Sequence, residues 1–147
     1  MILAERIAIR TSPDAVFHFF AEMERNYLRW HSDHVLFRWD GEPSLRGGAE
    51  FYFEERIGGE LLKKRVRFTR IEPGHIIEFA PVSFFFRLFL PRMTFLIARN
   101  NGTCHLTQEI QVRIGPIAAA LNKRRFDAVR RHMREEGENM KRLLEAD

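Results

Sequence analysis

Hydrophobic and polar residues alternate along most of the chain, and this two-residue period predicts a protein built mainly from β-strands. The alternation is visible in residues 2–10, in Lys64–Ile71 and on both sides of Asn101-Gly102, a dipeptide typical of tight hairpins. After Ser12 and Pro13 the alternation gives way to helical spacing. These two residues mark a helix start, because serine can cap a helix and proline suits its first turn. The predicted order is a strand, two short helices, about six antiparallel strands and one long C-terminal helix.

The remaining elements follow from the same periods. The second short helix is predicted at Met23–Trp30, and the last helix runs from Gly115-Pro116 to the end of the chain. Further strands are predicted at Val35–Trp39, around Phe51 and Phe53, and at Ile76–Phe79, Met93–Ala98 and Thr103–Ile114. A sheet of this size leaves an apolar face that needs cover, and only the last helix is long enough to cover it. The pattern therefore predicts one α+β domain over residues 1–147.

One apolar segment fits neither period well. Residues 81–91 are very apolar and are bounded by Pro81 and Pro91. A buried strand or loop is one interpretation of such a short apolar run. The alternatives are that Phe84–Leu90 forms a mobile lid over a cavity or a loop that touches a membrane.

The C-terminal helix places two ionisable residues on its apolar face. With an advance of about 100° per residue, Met133 and Met140 share one stripe with Val129, and Glu136 lies near its centre with His132 at its edge. A lone buried carboxylate costs several kcal/mol, so Glu136 needs a partner. A histidine and a glutamate four residues apart can bind one metal ion together, and the alternative is a structural pair in a polar corner of the core.

Other candidate ligands lie near the second helix and in the sheet. His31 and His34 follow that helix, although a spacing of three residues is also common on protein surfaces. Strand alternation puts Glu55 on the face of the neighbouring phenylalanines, with Glu60 as the reserve and Glu54 facing outward. Two histidines and two carboxylates form a suitable ligand set for zinc, iron or manganese.

Composition narrows the class of protein. The 147 residues are 45% hydrophobic and 30% charged, as in a globular domain, and no apolar stretch reaches the roughly 20 residues of a membrane span. The lone Cys104 excludes an internal disulfide framework and predicts a cytoplasmic protein. Fourteen phenylalanines indicate either a very aromatic core or an apolar cavity.

The net charge of +4 does not by itself indicate a nucleic-acid partner. The basic residues gather in Lys63–Arg67 and Lys123–Arg134, which we interpret as solvated faces of a strand and a helix. No zinc-finger spacing, RNA-binding motif or glycine-rich phosphate loop accompanies them. We therefore expect no nucleic-acid binding. We also expect the protein to be a monomer or a homodimer.

Several segments together resemble one superfamily. They are the Ile7–Phe17 opening, Gly47-Gly48 at the start of a strand, the Glu72-Pro73-Gly74 turn and the amphipathic last helix. This combination resembles the Bet v 1-like superfamily, also called the START or polyketide-cyclase (SRPBCC) superfamily. The resemblance implies the helix-grip fold, in which a curved antiparallel sheet of six to seven strands wraps around the long C-terminal helix and encloses an apolar cavity.

A narrower resemblance concerns the metal-ligand pattern. Trp30-His31 with His34, and His132 four residues before Glu136, are similar to the pattern of the zinc-dependent diacetylphloroglucinol and phloretin hydrolases. That resemblance implies zinc, or another divalent transition metal, held by four ligands: His31, Glu55, His132 and Glu136. It also implies that His34 contacts the substrate, where it could supply or relay a proton.

The expected ligand is a small hydrophobic molecule, either aromatic, polyketide-like or lipid. Residues expected to contact it in the cavity are Trp30, Phe53, Phe68, Met133 and Met140. The sharpest functional hypothesis is metal-dependent hydrolysis of an acyl-aromatic compound. The alternatives are a non-enzymatic carrier or sensor of an apolar ligand, a metal-free cyclase or dehydratase, and a partner-binding module that uses residues 81–91 or the basic helix.

Overall fold

A computed structural model describes residues 1–146, so Asp147, the last residue of the predicted domain, lies outside the described residues. Seven strands form one antiparallel sheet in the order β1-β7-β6-β5-β4-β3-β2. The strands are β1 (Ile2–Ile9), β2 (His34–Asp40), β3 (Glu50–Ile57), β4 (Glu60–Glu72), β5 (Ile76–Pro81), β6 (Arg92–Asn100) and β7 (Thr103–Gln111). The helices are α1 (Pro13–Ala21), α2 (Met23–Trp30), α3 (Phe84–Phe89), α4 (Pro116–Leu121) and α5 (Lys123–Glu145).

The sheet grips α5, which packs against β1 and β3. Close approach is possible at Gly137, where a Cβ atom would lie 3.4 Å from Ile7 Cγ2 and from Gln108 Nε2. Gln108 Nε2 donates a hydrogen bond of 2.7 Å to the Met133 carbonyl oxygen, and Trp30 Nε1 donates one of 3.0 Å to that of Glu136. These contacts fix the middle of the helix between the sheet and α2, and the predicted helix-grip architecture is confirmed.

The start of the first helix is also as predicted. Ser12 has an extended backbone and its hydroxyl accepts a hydrogen bond from the Ala15 N–H at 3.1 Å. The hydroxyl therefore satisfies a backbone donor that the first turn of a helix leaves free.

Two predicted elements differ in the structure. The C-terminal helix is interrupted at Asn122, whose side chain donates a hydrogen bond of 2.8 Å to the Ala118 carbonyl oxygen while its own carbonyl starts α5. The proposed buried strand or loop at residues 81–91 is wrong, because this segment contains α3, which is exposed. The first turn of α3 is closed by a hydrogen bond of 3.0 Å that the Arg87 N–H donates to the Ser83 carbonyl oxygen.

The phenylalanine excess divides between the core and one surface. Eight of the 14 phenylalanines are buried, and their rings pack together with Tyr27, Trp30 and Trp39. The four exposed phenylalanines all lie in α3. Among residues 1–146, no helix combines the length and apolarity that crossing a membrane requires.

Candidate metal centre

Four buried polar side chains meet between the sheet and α5, and we call them the four-residue cluster: His34, Glu55, His132 and Glu136. His34 begins β2 and is the register partner of Glu55 on β3. His132 and Glu136 come from successive turns of α5. One ligand atom from each residue lies within 4.8 Å of the other three.

The distances inside the cluster suit a tetrahedral ion. His34 Nε2 lies 3.1 Å from Glu136 Oε2, 3.3 Å from His132 Nε2 and 3.6 Å from Glu55 Oε2. His132 Nε2 lies 3.2 Å from Glu55 Oε2 and 3.6 Å from Glu136 Oε1. Ligand atoms about 2.0–2.2 Å from a tetrahedral zinc ion are separated by about 3.3–3.6 Å, and the five distances from the histidine nitrogens are close to that spacing. Glu136 faces the two histidines through different carboxylate oxygens.

The charge of the cluster also suits a divalent cation. Two neutral imidazoles and two carboxylates carry a charge of minus two, and Glu55 and Glu136 are both buried. Buried carboxylates need a cation, whether an ion or bound protons. Lys64 Nζ lies 3.8 Å from Glu55 Oε1, whereas the other oxygen, Oε2, is the one near the two histidines.

The orientation of His34 is set by a backbone carbonyl. Its Nδ1 lies 2.7 Å from the Tyr27 carbonyl oxygen, and because a carbonyl can only accept, Nδ1 carries the proton. In the neutral ring, Nε2 then directs its lone pair into the cluster. The Tyr27 ring stacks on the imidazole with 3.9 Å between centroids and 8° between planes. Metal-ligating histidines usually have this kind of support on their second nitrogen.

The cluster shifts the pKa values of its members. Burial favours the neutral acid of Glu55, but the hydrogen bond with His132 and the charge of Lys64 outweigh burial and lower its pKa well below the usual value. Burial lowers the pKa of His132, but the hydrogen bond to Glu55 and the charge of Glu136 outweigh burial and raise it. Burial and the Glu55 charge raise the pKa of Tyr27 far above its usual value, so its phenol stays protonated.

His31 lies outside the four-residue cluster. Its Nδ1 accepts a hydrogen bond of 2.9 Å from the Asp33 N–H, and its Nε2 therefore donates to Glu135 Oε2 at 2.9 Å. It belongs instead to a second group with Asp33 and His132. Of the four ligands that the resemblance implied, the structure brings three together, and His34 stands where His31 was expected.

The sheet carboxylate of the cluster is the one that strand alternation favoured. Glu54 lies on the opposite face and accepts a hydrogen bond of 2.6 Å from the Tyr52 hydroxyl. Glu60 is exposed and pairs with Arg125 at 3.4 Å. The alternation of Phe51 and Phe53 with their neighbours was therefore a sufficient signal for Glu55.

The cluster opens onto a cavity of about 930 Å³ between the sheet and α5. Trp30, Phe53 and Met133 contact this cavity, as expected. Phe68 does not, because its ring packs into the aromatic core against Trp39, Phe51 and Phe79. Met140 is also absent from the cavity wall and is fully buried in the core.

Tyr27 and Lys64 contact the cavity beside the cluster, and sequence reasoning missed both. The Tyr27 hydroxyl lies 3.5 Å from Glu55 Oε2. Lys64 could have been found from its position, because it is the register partner of Phe53 on the neighbouring strand and so lies on the same face of the sheet.

No family model and no curated protein matches the chain. Solved structures do match over its whole length. Norcoclaurine synthase from Thalictrum flavum is 8% identical, with a TM-score of 0.74 over 97% of this chain and 85% of that one. The di-domain ARO/CYC BexL is 16% identical, with a TM-score of 0.73 over 100% of this chain and 50% of that one. Ara h 8.0201 is 8% identical, with a TM-score of 0.65 over 100% and 99% of the two chains.

The chain has the helix-grip fold. In this helix-grip protein the cavity lies between the inner face of the sheet and α5, and three members of the four-residue cluster form part of its wall. Glu55, His132 and Glu136 contact the cavity directly, so a molecule inside it reaches the cluster without passing through the core.

Proposed function

We propose that this helix-grip protein binds a small hydrophobic compound in its cavity and hydrolyses an acyl-aromatic substrate with the help of a divalent transition metal. Zinc is the first candidate for that metal. The proposal gives the ligand role to His34, Glu55, His132 and Glu136. The observation that carries it is the set of spacings of 3.1–3.6 Å among buried ligand atoms that open onto an apolar cavity. Such an ion, when bound, would supply Lewis acidity, and a ligand position beyond the four side chains would let it polarise a carbonyl oxygen or acidify water.

The protein's own side chains then perform three tasks. Trp30 and Phe53 present ring surfaces that hold an aromatic ligand against the cluster. The protonated Tyr27 hydroxyl, 3.5 Å from Glu55 Oε2, can donate a hydrogen bond to a substrate oxygen. Lys64 adds a positive charge beside Glu55, which favours an oxygen that gains negative charge during acyl transfer.

An aromatic ligand is supported by both the cavity and a structural relative. The cavity wall is mainly apolar, and its volume of about 930 Å³ is within the range typical of small-molecule sites. Norcoclaurine synthase, which shares the fold, was solved in complex with dopamine and hydroxybenzaldehyde. We therefore place the acyl-aromatic class first among the possible substrates.

The test is elemental analysis of untagged protein together with zinc titration by calorimetry. We expect about one zinc, iron or manganese ion per chain in the wild type. His132→Ala and Glu136→Gln should lose stoichiometric metal, because each removes a ligand. Glu138→Gln and His18→Ala are matched controls, because both residues are exposed and lie outside the cluster, and both variants should keep the metal.

Full metal content in His132→Ala or Glu136→Gln would overturn the metal centre. A wild-type protein that neither contains nor takes up metal would favour the second candidate, a carrier or sensor of an apolar ligand. That candidate is supported by the raised pKa of His132, because a proton on His132 between Glu55 and Glu136 offsets half of the buried charge without a metal ion. Extraction of a bound compound and its mass spectrum would then identify the ligand class.

A further inference from the structure

Helix α3 exposes an unusual amount of apolar surface. Phe84, Phe85 and Phe86 are 69%, 62% and 57% exposed, and Leu88 and Phe89 are exposed as well. With an advance of about 100° per residue, the exposed apolar positions spread over roughly 200° of the helix, which is a broad face rather than a narrow stripe. Contiguous apolar surface of this kind on a globular protein marks an interaction site.

A second apolar projection lies on the neighbouring helix α4. Ile117 and Leu121 are 79% and 82% exposed. The segment that leads into α4 is joined to the end of α3, because the Arg113 N–H donates a hydrogen bond of 2.8 Å to the Phe89 carbonyl oxygen. We call the combined surface the mouth patch, and its residues are Phe84, Phe85, Phe86, Leu88, Phe89, Ile117 and Leu121.

The mouth patch borders the cavity. Phe86 and Leu90 contact the cavity from the α3 side, and Arg124 and Phe126 contact it from the start of α5, directly after α4. An apolar molecule at the patch is therefore beside an opening that leads to the four-residue cluster.

The two chain segments that carry the mouth patch are basic. Residues 82–92 and 113–125, which carry the patch, contain six basic residues and no acidic one. They are Arg87, Arg92, Arg113, Lys123, Arg124 and Arg125. Arg92 and Arg125 pair with Glu78 and Glu60 from neighbouring strands. Exposed phenylalanines inside a basic surround are typical of proteins that bind at the interface of anionic lipid bilayers.

A second copy of the chain fits this surface poorly. In a two-fold dimer the same patch meets itself, so the basic residues of one copy face those of the other. The apolar face of α3, roughly 200° wide, is also broader than the stripe of roughly 100° that a helix usually packs on a protein partner. A bilayer has neither problem, because its acyl chains surround a projecting helix and its anionic headgroups meet the cations.

We propose that the mouth patch docks on an anionic lipid bilayer. The side chains of α3 and α4 enter the boundary between headgroups and acyl chains, and the basic residues contact the headgroups. The cavity then opens on the bilayer, so that an apolar ligand can pass between the two. This inference does not depend on the metal centre, because no residue of the mouth patch belongs to the four-residue cluster.

Co-sedimentation with vesicles tests the proposal. We expect binding to vesicles of equal parts phosphatidylcholine and phosphatidylglycerol, and much weaker binding to phosphatidylcholine alone. Phe84→Ser/Phe85→Ser should weaken the binding at least about 10-fold, because burial of two rings is lost. The matched control is Leu28→Ser/Val35→Ser, which removes exposed apolar side chains outside the cavity wall and should bind like the wild type.

Two further variants separate insertion from charge. Phe85→Trp should show a blue shift of tryptophan emission with anionic vesicles, since Trp30 and Trp39 are already buried. Lys123→Glu/Arg124→Glu should remove the preference for anionic vesicles, and added salt should weaken wild-type binding. Circular dichroism and metal content of each variant show whether it is folded and whether its cluster is intact.

Three outcomes would overturn the proposal. One is vesicle binding that the two phenylalanine substitutions leave unchanged, and another is equal binding to neutral and anionic vesicles. The third is a wild-type dimer that becomes monomeric in Phe84→Ser/Phe85→Ser, which would make the patch an interface between copies. A normal metal content in the same samples would show that such a failure leaves the metal-centre proposal standing.

Discussion

His34 and Glu55 face each other as register partners on β2 and β3, with 3.6 Å between the imidazole Nε2 and the carboxylate Oε2. Because neighbouring strands hold such partners at a fixed separation, half of the four-residue cluster belongs to the sheet. The other half, His132 and Glu136, belongs to one face of α5. The packing of that helix on the sheet therefore decides whether the cluster is complete.

Zinc should stabilise the folded protein through this cluster. At a free zinc concentration 100 times the dissociation constant, the free energy of unfolding should rise by about 2.7 kcal/mol, because the ion binds the folded state. Thermal unfolding followed by circular dichroism should show the rise in the wild type and in Glu138→Gln. An equal rise in His132→Ala would contradict the assignment of His132 as a ligand.

Trp30 should act as a positioning residue for Glu136. Trp30→Phe removes the Nε1 donor that lies 3.0 Å from the Glu136 carbonyl oxygen, which then keeps only the hydrogen bond of the helix itself. We expect a loss of about 0.5–1.5 kcal/mol in the free energy of unfolding and a zinc affinity about 10-fold weaker. Urea unfolding and zinc titration measure the two effects. A large loss of stability with unchanged zinc affinity would restrict Trp30 to a structural role.

Met140 and Met133 should respond differently to truncation. Met140 is fully buried in the core, so Met140→Ala should lower the free energy of unfolding by about 2–5 kcal/mol. Met133 borders the cavity, so Met133→Ala should cost less and should change the binding of a fluorescent apolar dye. Urea unfolding and dye titration of both variants make the comparison. A larger loss of unfolding free energy in Met133→Ala than in Met140→Ala would show that the cavity is closed at Met133.

Glu145 should contribute stability that disappears in acid. The Arg10 N–H donates a hydrogen bond of 2.9 Å to Glu145 Oε2, and with the Lys141 side chain it lowers the pKa of Glu145 from 4.5 to about 2. A carboxyl whose pKa is lower in the folded state stabilises the protein above its unfolded pKa and loses that effect as the pH falls through the folded pKa. The contribution should therefore be complete above about pH 5 and fade towards pH 2.

The measurement is the free energy of unfolding of the wild type and of Glu145→Gln across that pH range. The difference between them should shrink as the pH falls from 5 to 2. Glu138→Gln serves as the control, because Glu138 is exposed on the same helix. A difference that stays constant with pH would show that the Glu145 carboxylate does not stabilise the fold.

Much of the architecture was predictable because local patterns carry it. The Ser12 cap, the alternation of Lys64–Ile71 and the hairpin at Asn101-Gly102 each depend on residues close together in the chain. The break at Asn122 was not predictable from helical spacing, because both sides of it favour helix. The helix at Phe84–Phe89 was missed because an apolar run indicates burial, whereas these side chains are exposed.

The helical and strand periods alone place His132 and Glu136 on the buried face of α5 and Glu55 on the face of Phe51 and Phe53, because both periods are local properties. The presence of His34 rather than His31 beside them follows instead from tertiary packing. It depends on the register of β2 with β3 and on the hydrogen bond that His31 donates to Glu135, about a hundred residues away. Contacts between such distant segments follow from the packing of whole elements, which no local pattern contains.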